Sequence, residues 1–215
     1  MKSGVDIILS KLTNIVIPED IIFKIEKHVY HWIHSHKQLI IHKDIIYIIY
    51  KKEFPKGTPI VCACEKGRLE HLKIFVAGHR GSVKKLLEEV GQDSHGFGKN
   101  TLMAAAWCER PEVLSQLLEY DVNTAITTNG GLNALHWSAL NNKSTRCIES
   151  LLKKMPLESI NKKNMQGLTP LDCAYDNGYP IKKDIVQLIR QHGGKANYWD
   201  RNGKFVNIGD GDLND

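Results

Sequence analysis

The sequence predicts an all-α solenoid: helix pairs repeated along the chain and stacked on one another, preceded by a helical N-terminal segment. Two observations lead there. Four segments align when written from one point: "GTPIVCACEKGRLEHL" from Gly57, "NTLMAAAWCERPEVLSQLL" from Asn100, "LNALHWSALNN" from Leu132 and "LTPLDCAYDNGYP" from Leu168. Runs of small residues near the start of these units are followed by apolar stretches at helical spacing, "VLSQLL", "CIESLL" and "DIVQLI". Such a unit cannot cover its own apolar stripe, so several must stack.

The bulk composition agrees with a packed domain. Of 215 residues, 42% are hydrophobic and 25% charged, enough to bury a core and ordinary for a soluble protein. The formal charge of +5 comes from 29 Lys and Arg against 24 Asp and Glu, scattered among one another. A nucleic-acid binder gathers its cations on one face, so no specific nucleic-acid partner is expected. The opening, "MKSGVDIILSKLTNIVIPEDIIF", is interrupted by Asp6, Lys11 and Asn14 and does not read as a signal peptide. No run of eighteen apolar residues exists to cross a membrane. Cys62, Cys64, Cys108, Cys147 and Cys173 make an odd count without a secretory signal. They are expected to be reduced, structural thiols, and the chain cytoplasmic or nuclear.

Residues 1–54 lack the repeat pattern. "IPEDIIFKIEKHVYHWIHSH" starts a helix well, with Pro18 followed by Glu19 and Asp20 near the positive end of the dipole. Ile22, Ile25, Val29, Trp32 and Ile33 then give one buried face, and a second apolar run, "KDIIYIIYKKEF", follows. The segment reads as a helical cap or small helical domain ahead of the repeats. It also holds five histidines between 28 and 42. His28, His31 and His34 step around the helix rather than converging on one ion, and no H-E-x-x-H or neighbouring Cys completes a site. They read as a solvated helix face, and no metal is expected.

Residues 55–199 carry the repeats. In "GTPI" and "LTPL", Pro59 and Pro170 stand at the first helical position, where a missing N–H costs nothing. Ala63, Ala104 to Ala106, Ser138, Ala139 and Ala174 let neighbouring helices approach closely. Gly67 and Gly178 fall where the first helix of a pair should end, a place for positive φ. These features resemble the ankyrin repeat, which reads roughly D-x-x-G-x-T-P-L-H-x-A-A-x-x-G-h before a second helix. The likeness covers about residues 55 to 204 and is clearest in the last unit. It implies β-hairpin fingers between the helix pairs. Taken on Thr58, Thr101, Asn133 and Thr169, the anchors lie 43, 32 and 36 residues apart, against a period near 33. The long first interval predicts a lengthened or broken second helix within "IFVAGHRGSVKKLLEEVG". In the second unit Leu102 and Ala104 replace the family's Pro and His, and Arg110-Pro111 its Gly-His. Residues 200–215 read as a terminal finger turn and an acidic tail: "KANYWDRNGKF" parallels the finger "ESINKKNMQGLT", and Asn202-Gly203 favours a tight hairpin.

Catalytic patterns are missing: there is no G-x-x-x-x-G-K-[ST], G-x-S-x-G or strand-borne G-x-G-x-x-G. "HGFGKN", residues 95 to 100, sits where a finger turn belongs rather than a phosphate cradle. Nothing in the sequence places a base beside Cys108. His136 occupies the family's T-P-L-H position, which implies a hydrogen bond between repeats. No enzyme, cofactor or small-molecule substrate is expected.

What the resemblance implies is recognition of another protein on the concave side, by finger tips and the inner face of the first helices. Carried over position by position, the helix residues are Glu65 and Lys66, Cys108 and Glu109, Leu140 and Asn141, and Asp176 and Asn177. The finger residues are Phe97 and Asn100, Asn129 and Leu132, and Met165, Gln166 and Leu168. Phe97, Leu132, Leu140, Met165 and Leu168 are large apolar residues at positions expected to be exposed, as interface anchors would be. Two other functions are weighed. "IPEDIIFKI" is similar to the L-P-x-E-I-x-x-I opening of F-box domains, which would make residues 1–54 an adaptor to a ubiquitin ligase. A metal- or nucleotide-dependent enzyme would instead use the histidines or "HGFGKN".

Overall fold

The computed structural model describes residues 39–141, 144–175, 183–199 and 205–206. The chain divides into two compact units, Met1–His42 and Lys43–Asp215. His28, His31, His34, His36 and the F-box-like "IPEDIIFKI" lie outside the described residues, as do Asp176, Asn177 and Gly178.

Helix α1 (Leu39–Glu53) is followed by helix pairs: α2 (Pro59–Glu65) with α3 (Leu69–Ala77), α5 (Thr101–Trp107) with α6 (Pro111–Glu119), α7 (Ala134–Asn141) with α8 (Arg146–Leu152), and α10 (Pro170–Tyr175) with α11 (Lys183–Gln191). The short α4 (Val83–Glu88) and the hairpin β1 (Gly91–Gln92) and β2 (Gly98–Lys99) lie between the first two pairs. One turn, α9 (Leu157–Ile160), precedes the last. The first helices α2, α5, α7 and α10 pack in succession, and so do the second helices α3, α6, α8 and α11. This is the stacked-pair solenoid that the repeats predict.

The residue types explain the stacking. Ala63, Ala104, Ala105, Ala106, Ser138, Ala139 and Ala174 are all buried, so the first helices meet through small side chains. Leu72, Leu114, Leu117, Ile148, Leu151, Val186 and Ile189 fill the seam among the second helices. The long first interval is a broken second helix. α3 stops at Gly78, Ser82 restarts the chain as N-cap of α4 through its hydroxyl to the Lys85 N–H, and Leu87 drops into the core. Thr101 fixes that detour by donating from Oγ1 to the Leu87 carbonyl at 2.7 Å. At the far end β3 (Tyr198–Trp199) pairs antiparallel with β4 (Phe205–Val206), as the finger-like sequence there predicts.

Residues 43–53 of α1 lie against the first helix pair. Tyr50 is fully buried, with its hydroxyl 3.1 Å from His71 Nδ1 and its ring edge-on to that imidazole. Phe54 and Phe75 flank it at centroid distances of 6.1 and 6.2 Å, and Lys43 Nζ donates to the Gly78 carbonyl. Truncating a buried aromatic costs about 3–5 kcal/mol. Tyr50→Ala is therefore expected to lower stability by that amount, read as a drop in the chemical-denaturation midpoint; a change under about 1 kcal/mol would show that α1 is dispensable to the first repeat.

Candidate recognition surface

Three fingers share one turn. The N–H of Asp93 donates to the Phe97 carbonyl, that of Thr128 to Leu132 and that of Asn164 to Leu168. The fourth residue of each turn is a glycine at positive φ: Gly96 at 88°, Gly131 at 78° and Gly167 at 80°. Asp93 and Asn164 stiffen their turns in the same way. Asp93 Oδ1 accepts from the N–H of His95 and Phe97, and Asn164 Oδ1 from those of Gln166 and Leu168. Neighbouring fingers touch. Met165 N–H donates to the Gly130 carbonyl at 3.0 Å, and Thr58 exchanges bonds with Gln92 through its own N–H and hydroxyl.

The first helices start at Thr58, Asn100, Asn133 and Thr169, and the last three cap them with their side chains, whereas the Thr58 hydroxyl accepts the Gln92 N–H instead. Asn100 Oδ1 accepts the Met103 N–H at 2.9 Å; Asn133 Oδ1 accepts those of Leu135 and His136. Thr169 and Asp172 cap each other: the threonine hydroxyl accepts the Asp172 N–H, and Asp172 Oδ2 accepts the Thr169 N–H. The anchor of the second repeat is therefore Asn100 and not Thr101. The finger before this cap also carries two extra residues, Gly98 and Lys99, between its turn and its cap. A one-residue correction makes Trp107 and Cys108, rather than Cys108 and Glu109, the counterparts of Glu65 and Lys66. Glu109 instead matches Gly67: their φ values are 54° and 73°, and the residue after each donates back into the first helix. Glutamate in that conformation is strained, so Glu109→Gly is expected to gain about 0.5–1 kcal/mol and raise Tm. No gain would mean that the Glu109 side chain compensates for its backbone.

The register shift exposes an aromatic cluster that the sequence did not flag. Trp107 and Trp137 meet edge to face, with centroids 5.2 Å apart at 86°. Lys99 Nζ lies 4.4 Å from the Trp137 ring centroid and 5.4 Å from those of Trp107 and Phe97. It also donates to Asp93 Oδ2 at 2.5 Å, and Lys99 and Asp93 are each 2% exposed. Burial pushes the Asp93 carboxyl up, but the Lys99 ammonium and the two turn N–H groups outweigh it and hold the pKa below the ordinary value. The lysine of "HGFGKN" is thus an internal counter-ion under the second finger, its charge already matched.

The remaining candidates separate by exposure. Phe97 is 63% and Met165 80% exposed at their finger tips. Asn129, Gln166, Lys66 and Asn141 are exposed as well, and Leu132, Leu140, Leu168, Cys108 and Glu109 are half-buried. Asn141 is also tied inward, by Nδ2 to the Trp107 carbonyl at 2.8 Å. Two expected surface residues are internal. Asn100 is buried as a cap, and Glu65 is buried with its carboxylate accepting from the N–H and hydroxyl of Ser94. An acid that holds the neighbouring finger in place is not displayed to a partner.

Reactive groups are muted. Burial, reinforced by the nearby Glu65 and Asp93 carboxylates, pushes the Cys62 thiol up to about 12; burial raises Cys64, Cys108 and Cys147 as well. None of the five cysteines is in a disulfide. The four raised thiols stay protonated and are poor nucleophiles. His136 is fully buried, with Nδ1 facing Asn133 and Nε2 3.2 Å from the Leu168 carbonyl of the next finger. Burial pushes its pKa down to about 4. Among the described residues no helix is long and apolar enough to cross a membrane, and no group of three or more His, Cys, Asp or Glu side chains is placed to hold a metal ion.

The comparisons with known proteins agree with this architecture. A family model described as "Ankyrin repeats (3 copies)" matches residues 74–163 and 102–202. An ankyrin repeat protein of fowlpox virus (strain NVSL) is 31% identical over 112 residues, which are 51% of this chain and 32% of that protein. The chain thus matches about a third of that relative's length. With stacked helix pairs, shared finger turns and capped first helices in the same register, the chain belongs to the ankyrin-repeat family.

Proposed function

We propose that this chain is a non-enzymatic recognition module that binds another protein through its finger tips and the adjoining inner helix ends. The observation that carries this is the exposure of Phe97 and Met165 on a scaffold whose other large apolar groups are mostly buried. Trp107, Trp137 and Leu140, all half-buried, extend the apolar character inward from the tips. The hydrogen-bonded finger turns hold these anchors before any partner arrives, so little ordering entropy is lost on docking. Phe97→Glu with Met165→Glu should leave the circular dichroism unchanged, because both side chains are mostly in solvent. In paired pull-downs from the source organism the double variant is expected to lose a specific partner that the parent chain retains. Retention of every partner by the folded variant would place recognition elsewhere.

A second reading makes the chain an adaptor, its N-terminal segment recruiting cellular machinery while the repeats hold a target. It rests on the F-box-like "IPEDIIFKI". The deletion that tests it should stop at residue 42, because Tyr50 and its neighbours belong to the first repeat's packing. A folded 43–215 chain that keeps one partner and loses another supports the adaptor. A chain that loses none removes it.

A further inference from the structure

The three finger turns differ at one amide. In the turn opened by Asp93, Oδ1 accepts the His95 N–H at 2.9 Å; in the turn opened by Asn164, Oδ1 accepts the Gln166 N–H at 2.9 Å. Each bond pins the peptide that joins the tip residues, Ser94 to His95 and Met165 to Gln166. The turn between them opens on Thr128, whose hydroxyl accepts the Leu132 N–H at 3.3 Å. Among the described residues nothing accepts the Gly130 N–H, the amide that matches those of His95 and Gln166. The unpinned peptide therefore joins Asn129 to Gly130, and Asn129 is exposed. With no Cβ on Gly130, the Asn129 side chain can approach that nitrogen closely.

We infer that Asn129 is a site of spontaneous modification, converting to aspartate and isoaspartate in the folded protein because its turn lacks the side-chain lock of the other two. The Gly130 nitrogen bonds to Asn129 Cγ, the Cγ–Nδ2 bond breaks, and Nδ2 leaves as ammonia with the proton that Gly130 gives up. Water then opens the cyclic imide. Addition at Cγ leaves aspartate in the ordinary backbone; addition at the α-carbonyl leaves isoaspartate, whose backbone runs through Cβ. Either product puts a carboxylate at the turn position that Met165 holds in the next finger. Isoaspartate also moves the backbone. The Gly130 carbonyl accepts the Met165 N–H at 3.0 Å, and a Cβ on Gly131 would stand 2.9 Å from Asn164 Cα. Fingers this close have no room for a backbone lengthened by a methylene group, so the Gly130 carbonyl leaves Met165. The inference stands whether or not the fingers bind a partner.

The full chain is held folded in mildly alkaline buffer, a second sample is held in denaturant as the clock, and peptide mass mapping follows the exchange of amide for acid at each asparagine. Mapping separates Asn129 from Asn177-Gly178 and Asn202-Gly203, which lie outside the described residues. In the folded chain Asn129 is expected to convert, while Asn133 and Asn164, each held by two N–H groups at Oδ1, keep their amides. Thr128→Asn installs the residue that opens the next finger's turn and should slow conversion about tenfold, the rate equivalent of one hydrogen bond. Gly130→Ala should slow it too, by crowding the nitrogen. Its φ lies outside the left-handed region and the new Cβ meets the flexible Leu132 Cδ1 at 3.0 Å, so the turn survives. In the aged parent, amide hydrogen exchange at Met165 should quicken in step with isoaspartate. An Asn129 that stays an amide in the folded chain over the time in which the denatured chain converts it overturns the site. Conversion as fast in Thr128→Asn as in the parent overturns the missing lock as its cause, and conversion as fast in Gly130→Ala overturns ring closure through Gly130. Exchange at Met165 unmoved by isoaspartate overturns the loss of the finger contact.

Discussion

Lys99→Ala is expected to destabilise the protein by about 3–5 kcal/mol, the cost of leaving a buried carboxylate without its counter-ion. The side chains of Lys99 and Asp93 are 2% and 3% exposed, so water cannot replace the ammonium once it is gone. The same truncation empties the space that the lysine fills against Trp137, Trp107 and Phe97, and it removes their favourable cation–ring contacts. The acid cannot simply be deleted as well, because Asp93 Oδ1 also holds the N–H groups of the finger turn. The finger turn opened by Asn164 shows what can take its place: Asn164 makes the same two bonds without a charge. Lys99→Met combined with Asp93→Asn should therefore cost far less than Lys99→Ala alone, since replacing both members of a buried pair by neutral groups of similar size is often close to neutral. Equilibrium denaturation of the three proteins decides it. A double variant as unstable as Lys99→Ala would mean that the ammonium acts through the aromatic rings and not through Asp93. The pH dependence has its own window. The folded-state pKa of Asp93 lies below its unfolded value, so the pair's contribution is present above about pH 4 and is lost as pH falls through the lowered pKa.

The same pair marks where the sequence stopped being legible. Helix caps, small inner residues and apolar outer stripes each act within one repeat, so their pattern survives in a single sequence and gives the solenoid directly. The broken second helix was visible too, as an interval too long for one unit. The cap of the second repeat was misplaced by one residue because Asn100 and Thr101 are both good cap residues. Only the bond from Met103 N–H to Asn100 Oδ1 separates them. That slip hid Trp107 from the candidate surface and placed Glu109, a backbone hinge, upon it. Burial of Glu65 was likewise illegible, because its partner Ser94 lies 29 residues away on another repeat's finger. Phe97 and Met165 were legible because finger tips are defined by the turn alone, and the turn is local.

The second large effect is on acid stability. His136 sits under the cap of α7, and its imidazole joins Asn133 of its own repeat to the Leu168 carbonyl of the next finger. The neutral ring fits this place. Asn133 Oδ1 lies 2.8 Å from Nδ1 and could accept an added proton, but burial of the ring disfavours the charge that the proton would bring. With the folded-state pKa pushed down to about 4 and the unfolded one near 6.5, the unfolded chain takes up the proton first as pH falls. Stability from this group is thus complete above about pH 6.5 and is lost toward pH 4, at up to about 1.4 kcal/mol per pH unit. His71, also pushed down to about 4 by burial and by the Arg68 guanidinium, adds a parallel loss at the first repeat, where it faces Tyr50. The denaturation midpoint is expected to begin its steep fall near pH 6.5, above the range where carboxylates titrate. His136→Gln keeps a side-chain donor for Leu168 and removes the titration. It should lower stability at neutral pH while roughly halving the slope between pH 6.5 and 4. An unchanged slope in that variant would mean that His136 is charged in the folded protein, and a neutral imidazole could then no longer be what couples the third repeat to the fourth.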